Sequence, residues 1–245
     1  KTMQKLSGTS AADSHTATGN FTSLFASAAV VLQESIEPGK VEDYVSPAFY
    51  APNVSYFVQR SGMEPYDGLM ISQAGSKGNH AHSNGIAMEL YGKGTVLAPD
   101  KGIGTSYFQP DYKEYYSQFP AHNTVVVDGI SSYPEMRSNH GFELKGSYPE
   151  SGRKNEIPPT VTYSDIYFLE PETNADQRRL MGIVRINDTA GYYVDIFRSK
   201  RKEGGDKRHD YFYHNLGQDL VLSDTSGKPL PLLPTEKLAF ADGDL

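Results

Sequence analysis

The chain has 245 residues, 38% hydrophobic and 22% charged, with a formal net charge of −7; that length builds one large all-β domain or two smaller ones, with a core that needs no covalent staples. It contains no cysteine, which excludes thiol catalysis, thiolate metal sites and a disulfide framework, so any metal must be held by His, Asp, Glu and oxygen ligands. The acidic balance gives no attraction to nucleic acid or anionic membranes, and no stretch approaches the roughly 20 apolar residues of a membrane span.

The first ten residues, KTMQKLSGTS, lack the apolar core of a signal peptide. Residues 7–20 are small and polar and read as a linker. In the next stretch Phe21, Leu24, Phe25, Ala28, Ala29 and Leu32 recur at helical spacing, with Asn20 as N-cap, which predicts one amphipathic helix over 21–35. Pro38 and Gly39 stop it. Residues 1–46 are therefore expected to form a linker and short helix, and 47–245 a β domain.

From Ala48 the texture changes to short apolar runs broken by Gly, Pro, Asn and Asp. Strands are predicted in VSYFVQRSG, DGLMISQAG, GIAMELYGKGTVLAP, HNTVVVDG, GFELKGSYP, VTYSDIYFLE, RRLMGIVRIN, GYYVDIFRSK and HDYFYHNLG, with a further one in DLVLSD. Spacing of this kind predicts an all-β, multi-layered antiparallel sandwich. The charged stretch over residues 199–209 reads as a solvated hairpin loop, and the Pro-rich C-terminal stretch is expected to end without a closing strand.

Within this pattern the octet GNHAHSNG places His80 and His82 one residue apart. On an extended strand they would project to one side, a geometry suited to metal ligation, to proton transfer, or to one of each. Taken alone, the octet reads first as polar residues of an exposed turn. Asp100 follows at the end of a hydrophobic hairpin, and His122 opens a strand after the tyrosine-rich TSYFQPDYKEYY. Two imidazoles and one carboxylate suit zinc with an open or water-filled fourth position. The plain reading makes Asp100 a turn residue and His122 a polar strand start. Among 17 tyrosines, Tyr112, in a polar loop after Pro110, is expected to project into a cleft, whereas Tyr115 and Tyr116 read as packing. His140, His209 and His214 default to loop and sheet polar residues, and His15 lies in the linker. Arg137, Lys145 and Arg153 are candidates for an anion-binding groove, against ordinary solvation.

The segments GNHAHSNGIAMELYGKGTVLAPDKG, AHNTVVVDG and VDIFR…HDYFYHNLG together resemble the β-sandwich domain of heparinase II/III-like polysaccharide lyases, over Tyr50 to Gly217. The resemblance implies a His-x-His facing a cleft against a helical toroid domain. It implies His82, Asp100 and His122 as zinc ligands, and His80 as a substrate-facing proton-transfer residue. The chain departs from the family in two ways. Ser83 and Asn84 stand where many members carry an acidic residue, and nothing before Tyr50 could build the toroid, which in the family supplies a catalytic tyrosine and carboxylate-binding residues. The chain is therefore expected to be the C-terminal part of a larger enzyme, itself cut short at its C-terminus, with the helix over 21–35 a remnant of the connection.

Such lyases cleave a uronate polysaccharide by β-elimination. A base takes the C5 proton, the carboxylate is neutralised, and an acid protonates the leaving oxygen. On that reading His80 and Tyr112 are the catalytic candidates, the zinc is structural, and the partners are an acidic polysaccharide and the toroid, with no nucleic acid and no membrane span. A periplasmic or secreted location follows from the substrate class. Two rivals are a non-catalytic carbohydrate-binding module with a structural metal, and a metal-dependent glycoside hydrolase.

Overall fold

The computed structural model of the chain describes residues 44–62, 64, 66–131, 136–153, 159–205 and 208–233. The chain divides into two compact units at Ser46–Pro47. The first lies almost wholly outside the described residues, and with it the helix expected over 21–35.

The second unit is built of antiparallel strands. In chain order these are β1 (Ala48–Ala51), β2 (Tyr56–Ser61), β3 (Leu69–Ala74), β4 (Ser76–Ala81) and β5 (Ala87–Gly92). Then come β6 (Thr95–Ala98), β7 (Val125–Val127), β8 (Met136–His140), β9 (Glu143–Tyr148) and β10 (Val161–Glu170). The last are β11 (Ala175–Arg185), β12 (Gly191–Arg201), β13 (His209–Tyr211), β14 (Leu222–Ser223) and β15 (Pro229–Leu230). A five-stranded sheet runs β1-β2-β3-β5-β6 and a four-stranded sheet β12-β11-β10-β9. Three two-stranded ribbons, β4-β8, β7-β13 and β14-β15, complete the described residues. The expected antiparallel β-sandwich is what the chain forms.

Alternation explains the layering. Along β10 every second residue is buried, Thr162, Ser164, Ile166, Phe168 and Glu170, while the residues between them face out. Phe57, Ile86, Phe119, Val126, Phe142, Ile166 and Phe168 form one buried cluster. Leu69, Ile71, Met88, Leu90, Met181 and Ile183 form a second, joining β3 and β5 to β11. Two polar contacts cross between the sheets: Gln59 Nε2 donates to the Met181 carbonyl at 3.0 Å, and the Ser164 hydroxyl donates to Gln73 Oε1.

Arg179 is wholly buried and ties three elements together. Its Nη1 donates to the carbonyls of Ile86 at 2.7 Å and Asn123 at 2.6 Å, and its Nε and Nη2 meet the Asp195 carboxylate at 3.0 and 2.7 Å. Asn123, also buried, uses its amide to hold the carbonyls of Met88, Ala98 and Pro99 at 3.0 to 3.3 Å. The loop carrying His122 and the hairpin end carrying Asp100 are thus fixed by one side chain.

The structure departs from the sequence expectation at both ends of the polarity range. The ribbon β4-β8 was not expected, because SKGNHA carries no apolar alternation. At the other end, the described part of the Pro-rich tail forms a short ribbon, Leu222 pairing with Leu230 and Ser223 with Pro229; residues 234–245, where the chain is expected to end without a closing strand, lie outside the described residues.

Candidate active site and metal-binding cluster

His80 sits on an irregularity of β4. Asn79 faces Arg137 and Ala81 faces Met136 on β8, so His80 is the extra residue between two pairs, and its φ is 56°. Left-handed backbone at a non-glycine residue is strained, and a bulge re-aims the side chain it carries. The expectation that His80 and His82 share a side by simple extension is therefore corrected. His82 lies just beyond the end of β4, and the bulge rather than strand alternation sets their relation. Both nevertheless line one cleft of about 290 Å³, together with Lys77, Asn79, Glu89 and Asp100.

The turn after His82 is tied down by Ser83 and Asn84. Ser83 N–H donates to the Ser117 carbonyl at 2.8 Å, and Asn84 N–H donates to Ser76 Oγ at 2.8 Å. Gly85 closes the turn at φ 59°, where a Cβ would stand 2.8 Å from the Phe119 ring. Ser83 and Asn84 thus hold the backbone beside the imidazoles.

His122 is 1% exposed. A 3₁₀ turn, Phe119–Ala121, delivers it to the mouth of β7. Its Nδ1 is 2.7 Å from Asp100 Oδ2, and its Nε2 is buried with no hydrogen-bond partner among the described residues. The His82 ring centroid lies 5.4 Å from that of His122. Asp100 also accepts from Gly102 N–H at 2.9 Å. Burial alone would raise the Asp100 carboxyl, but the His122 imidazole beside it and the Gly102 hydrogen bond outweigh that and bring it down to about 2. Burial first, and His122 second, push the His82 imidazole down to about 4 against the pull of Asp100. At neutral pH the cluster therefore presents a carboxylate and a neutral His82.

Tyrosines wall the cluster. Tyr107 lies 5.5 Å from His80 and 5.0 Å, edge-on, from Tyr112, which in turn stands edge-on to His82 at 5.5 Å. Tyr112 opens a π-helical turn, Tyr112–Tyr116, and is 2% exposed. The expectation that it projects into the cleft is corrected, since its ring packs between Tyr107 and His82. Tyr107 is the tyrosine in contact with His80, and its helical neighbourhood could not be read from a segment that looks like a polar loop. Tyr115 OH and His214 Nε2 are 3.2 Å apart, and His214 N–H donates to Asn123 Oδ1 at 2.6 Å. His140 pairs with Ser138 Oγ at 3.0 Å and His209 with Ser199 Oγ at 2.9 Å, both away from the cleft. Lys145 pairs with Glu143 at 2.6 Å and Arg153 with Glu150 at 3.7 Å, while Arg137 faces Asn79 across the ribbon.

His82, Asp100 and His122 are thus brought together. The donor set suits zinc in kind: two imidazoles, one ionised carboxylate, and one buried ring nitrogen left without a partner. As placed, Asp100 and His122 bond to each other, and among the described residues no three His, Asp or Glu side chains surround a single metal position.

Residues 45–199 match the family described as Heparinase II/III-like, C-terminal. An endo-acting ulvan lyase from Formosa agariphila is 28% identical over 224 residues, 82% of this chain and 26% of that protein. A solved heparinase III with methylated lysines superposes with a TM-score of 0.51 at 13% identity, covering 84% of this chain and 29% of that one; this is a likeness of fold. The chain spans about a quarter of the length of the curated relative it matches.

Proposed function

This chain belongs to the heparinase II/III-like, C-terminal family, and on that premise we propose that it is the β-sandwich part of a polysaccharide lyase acting on a uronic-acid-containing polysaccharide. The observation that carries the reading is the cleft: a re-aimed His80 against Tyr107, backed by the buried cluster of His82, Asp100 and His122.

β-Elimination needs a base for the C5 proton, a group that neutralises the carboxylate, and an acid for the departing O4. Loss of the proton forms the C4–C5 double bond as the C4–O bond breaks. His80 is exposed in the cleft and takes the proton-transfer role, with the Tyr107 phenol next to it. Lys77 and Asn79 line the same cleft and are this chain's own candidates to meet the carboxylate. Tyr112 acts through its packing on Tyr107 and His82. His82, Asp100 and His122 would hold zinc. Bound there, it would clamp the turn after β4, the end of β6 and the start of β7. The remaining catalytic groups would come from a helical toroid domain, and a uronate polysaccharide substrate places the enzyme in the periplasm or outside the cell.

The test is incubation of the longer protein, toroid included, with ulvan, heparan sulfate, alginate and glucuronan, following ultraviolet absorbance of the unsaturated ends. Unsaturated product supports the reading. Cleavage without that absorbance would make it a hydrolase, and retention of polysaccharide without cleavage a binding module.

A further inference from the structure

The β12 edge of the four-stranded sheet carries a second feature, which shares no lining residue with the cleft. A groove of about 940 Å³ crosses β10, β11 and β12. Its lining holds five cations, Arg178, Arg198, Lys200, Arg201 and Lys202, against one carboxylate, Asp176. In a chain of formal net charge −7 this is a local reversal of sign.

The register makes the reversal costly. Arg178 on β11 lies directly opposite Arg198 on β12, and like charges placed so destabilise a sheet. Three of the five cations are answered: Arg178 by Asp165, Arg201 by Asp128 at 3.1 Å, and Lys202 by Asp176 at 3.5 Å. Arg198 and Lys200 have no ion pair among the described residues. Both are exposed, alternate on one face of the edge strand β12, and sit one strand pair apart, opposite Arg178 and Asp176.

We propose that this groove is an accessory binding site for an anionic polysaccharide, with Arg198 and Lys200 as the principal contacts to its sulfate or carboxylate groups. Two unanswered cations on alternate positions of an extended strand present a linear charge row, which matches a polymer with anionic groups along its length better than a single small anion. The choice of a glycan over another polyanion rests on the lyase reading above. An accessory site of this kind holds polymer near the enzyme without entering the chemistry, so it bears on long substrates and not on short ones.

Binding is measured by surface plasmon resonance of the 245-residue chain on immobilised heparin, a sulfated uronate polymer, across a sodium chloride series. No turnover enters the readout, so its failure is separate from failure of the lyase reading, which the unsaturated-product assay decides. The expected result is salt-sensitive binding that weakens roughly tenfold in an Arg198→Ala/Lys200→Ala double variant and is unchanged in Lys228→Ala, which removes an exposed cation that does not line the groove. Both substituted side chains are on the solvent face, and unchanged circular dichroism and melting temperature verify the fold. Equal binding by the double variant and the parent overturns the proposal. So does tighter binding of duplex DNA lost in the same variant, which would assign the face to nucleic acid.

Discussion

His122 Nδ1 and Asp100 Oδ2 stand 2.7 Å apart, the imidazole almost wholly buried and the carboxylate about one-third exposed. One group comes from the mouth of β7 and the other from the end of the β5-β6 hairpin. Their contact fixes the floor of the cleft and holds Asp100 ionised.

That pairing has a signature in the pH dependence of stability for metal-free protein. The folded Asp100 carboxyl is depressed to about 2, so its contribution is present above the unfolded value and is lost as pH falls through about 2. The full shift corresponds to about 2 kcal/mol, reduced by solvent screening of the exposed edge. His82, held down at about 4, acts in the window above: the unfolded chain binds its proton first, so stability falls as pH drops from about 6.5 to about 4. Urea midpoints across pH 2 to 7 should therefore show two descending limbs. Asp100→Asn should flatten the lower and His82→Gln the upper; parent-like limbs in both variants would refute the assignment.

Metal content separates the imidazoles. One zinc per chain is expected by inductively coupled plasma mass spectrometry after chelator-free purification. It should be lost in His82→Ala and in His122→Ala, and retained in His80→Ala. A zinc retained by His122→Ala would remove that residue from the ligand set.

Arg179 should prove indispensable to the fold. Replacing it by Met leaves the Asp195 carboxylate without its cation and takes the guanidinium donor away from the carbonyls of Ile86 and Asn123. A loss of about 3–5 kcal/mol in denaturant unfolding is expected. A change under 1 kcal/mol would mean the network relaxes around the gap.

His80 stands at φ 56°, so its backbone is strained for any residue except glycine. His80→Gly should be more stable than His80→Ala by about 1 kcal/mol, since glycine adopts the left-handed region without steric cost. Equal stability of the two variants would show that the bulge relaxes once the imidazole is removed.

The strands with apolar alternation were legible because burial on one face forces period two, and β10, β11 and β12 came out where the pattern put them. The cluster of His82, Asp100 and His122 was legible because the chain has only seven histidines and the spacing of these three residues resembles the family's. What the sequence hid was set by tertiary contacts. Ribbon β4-β8 is held by register against a distant polar strand, and nothing local in SKGNHA announces it. The bulge at His80 depends on its partner strand as well. Tyr107 rather than Tyr112 meets His80, because the helical turn that Tyr112 opens buries its ring. Arg179 and Asn123 gave no signal, since their task is to satisfy carbonyls on strands far away in sequence.

The most direct measurement of the central claim is the rate of unsaturated-product release by the longer protein carrying His80→Ala, beside the parent. If His80 transfers a proton in the cleft, the rate falls about 10²- to 10⁴-fold, with melting temperature near the parent's and zinc retained. An unchanged rate would take His80 out of the chemistry and leave the cleft of this domain as a substrate wall.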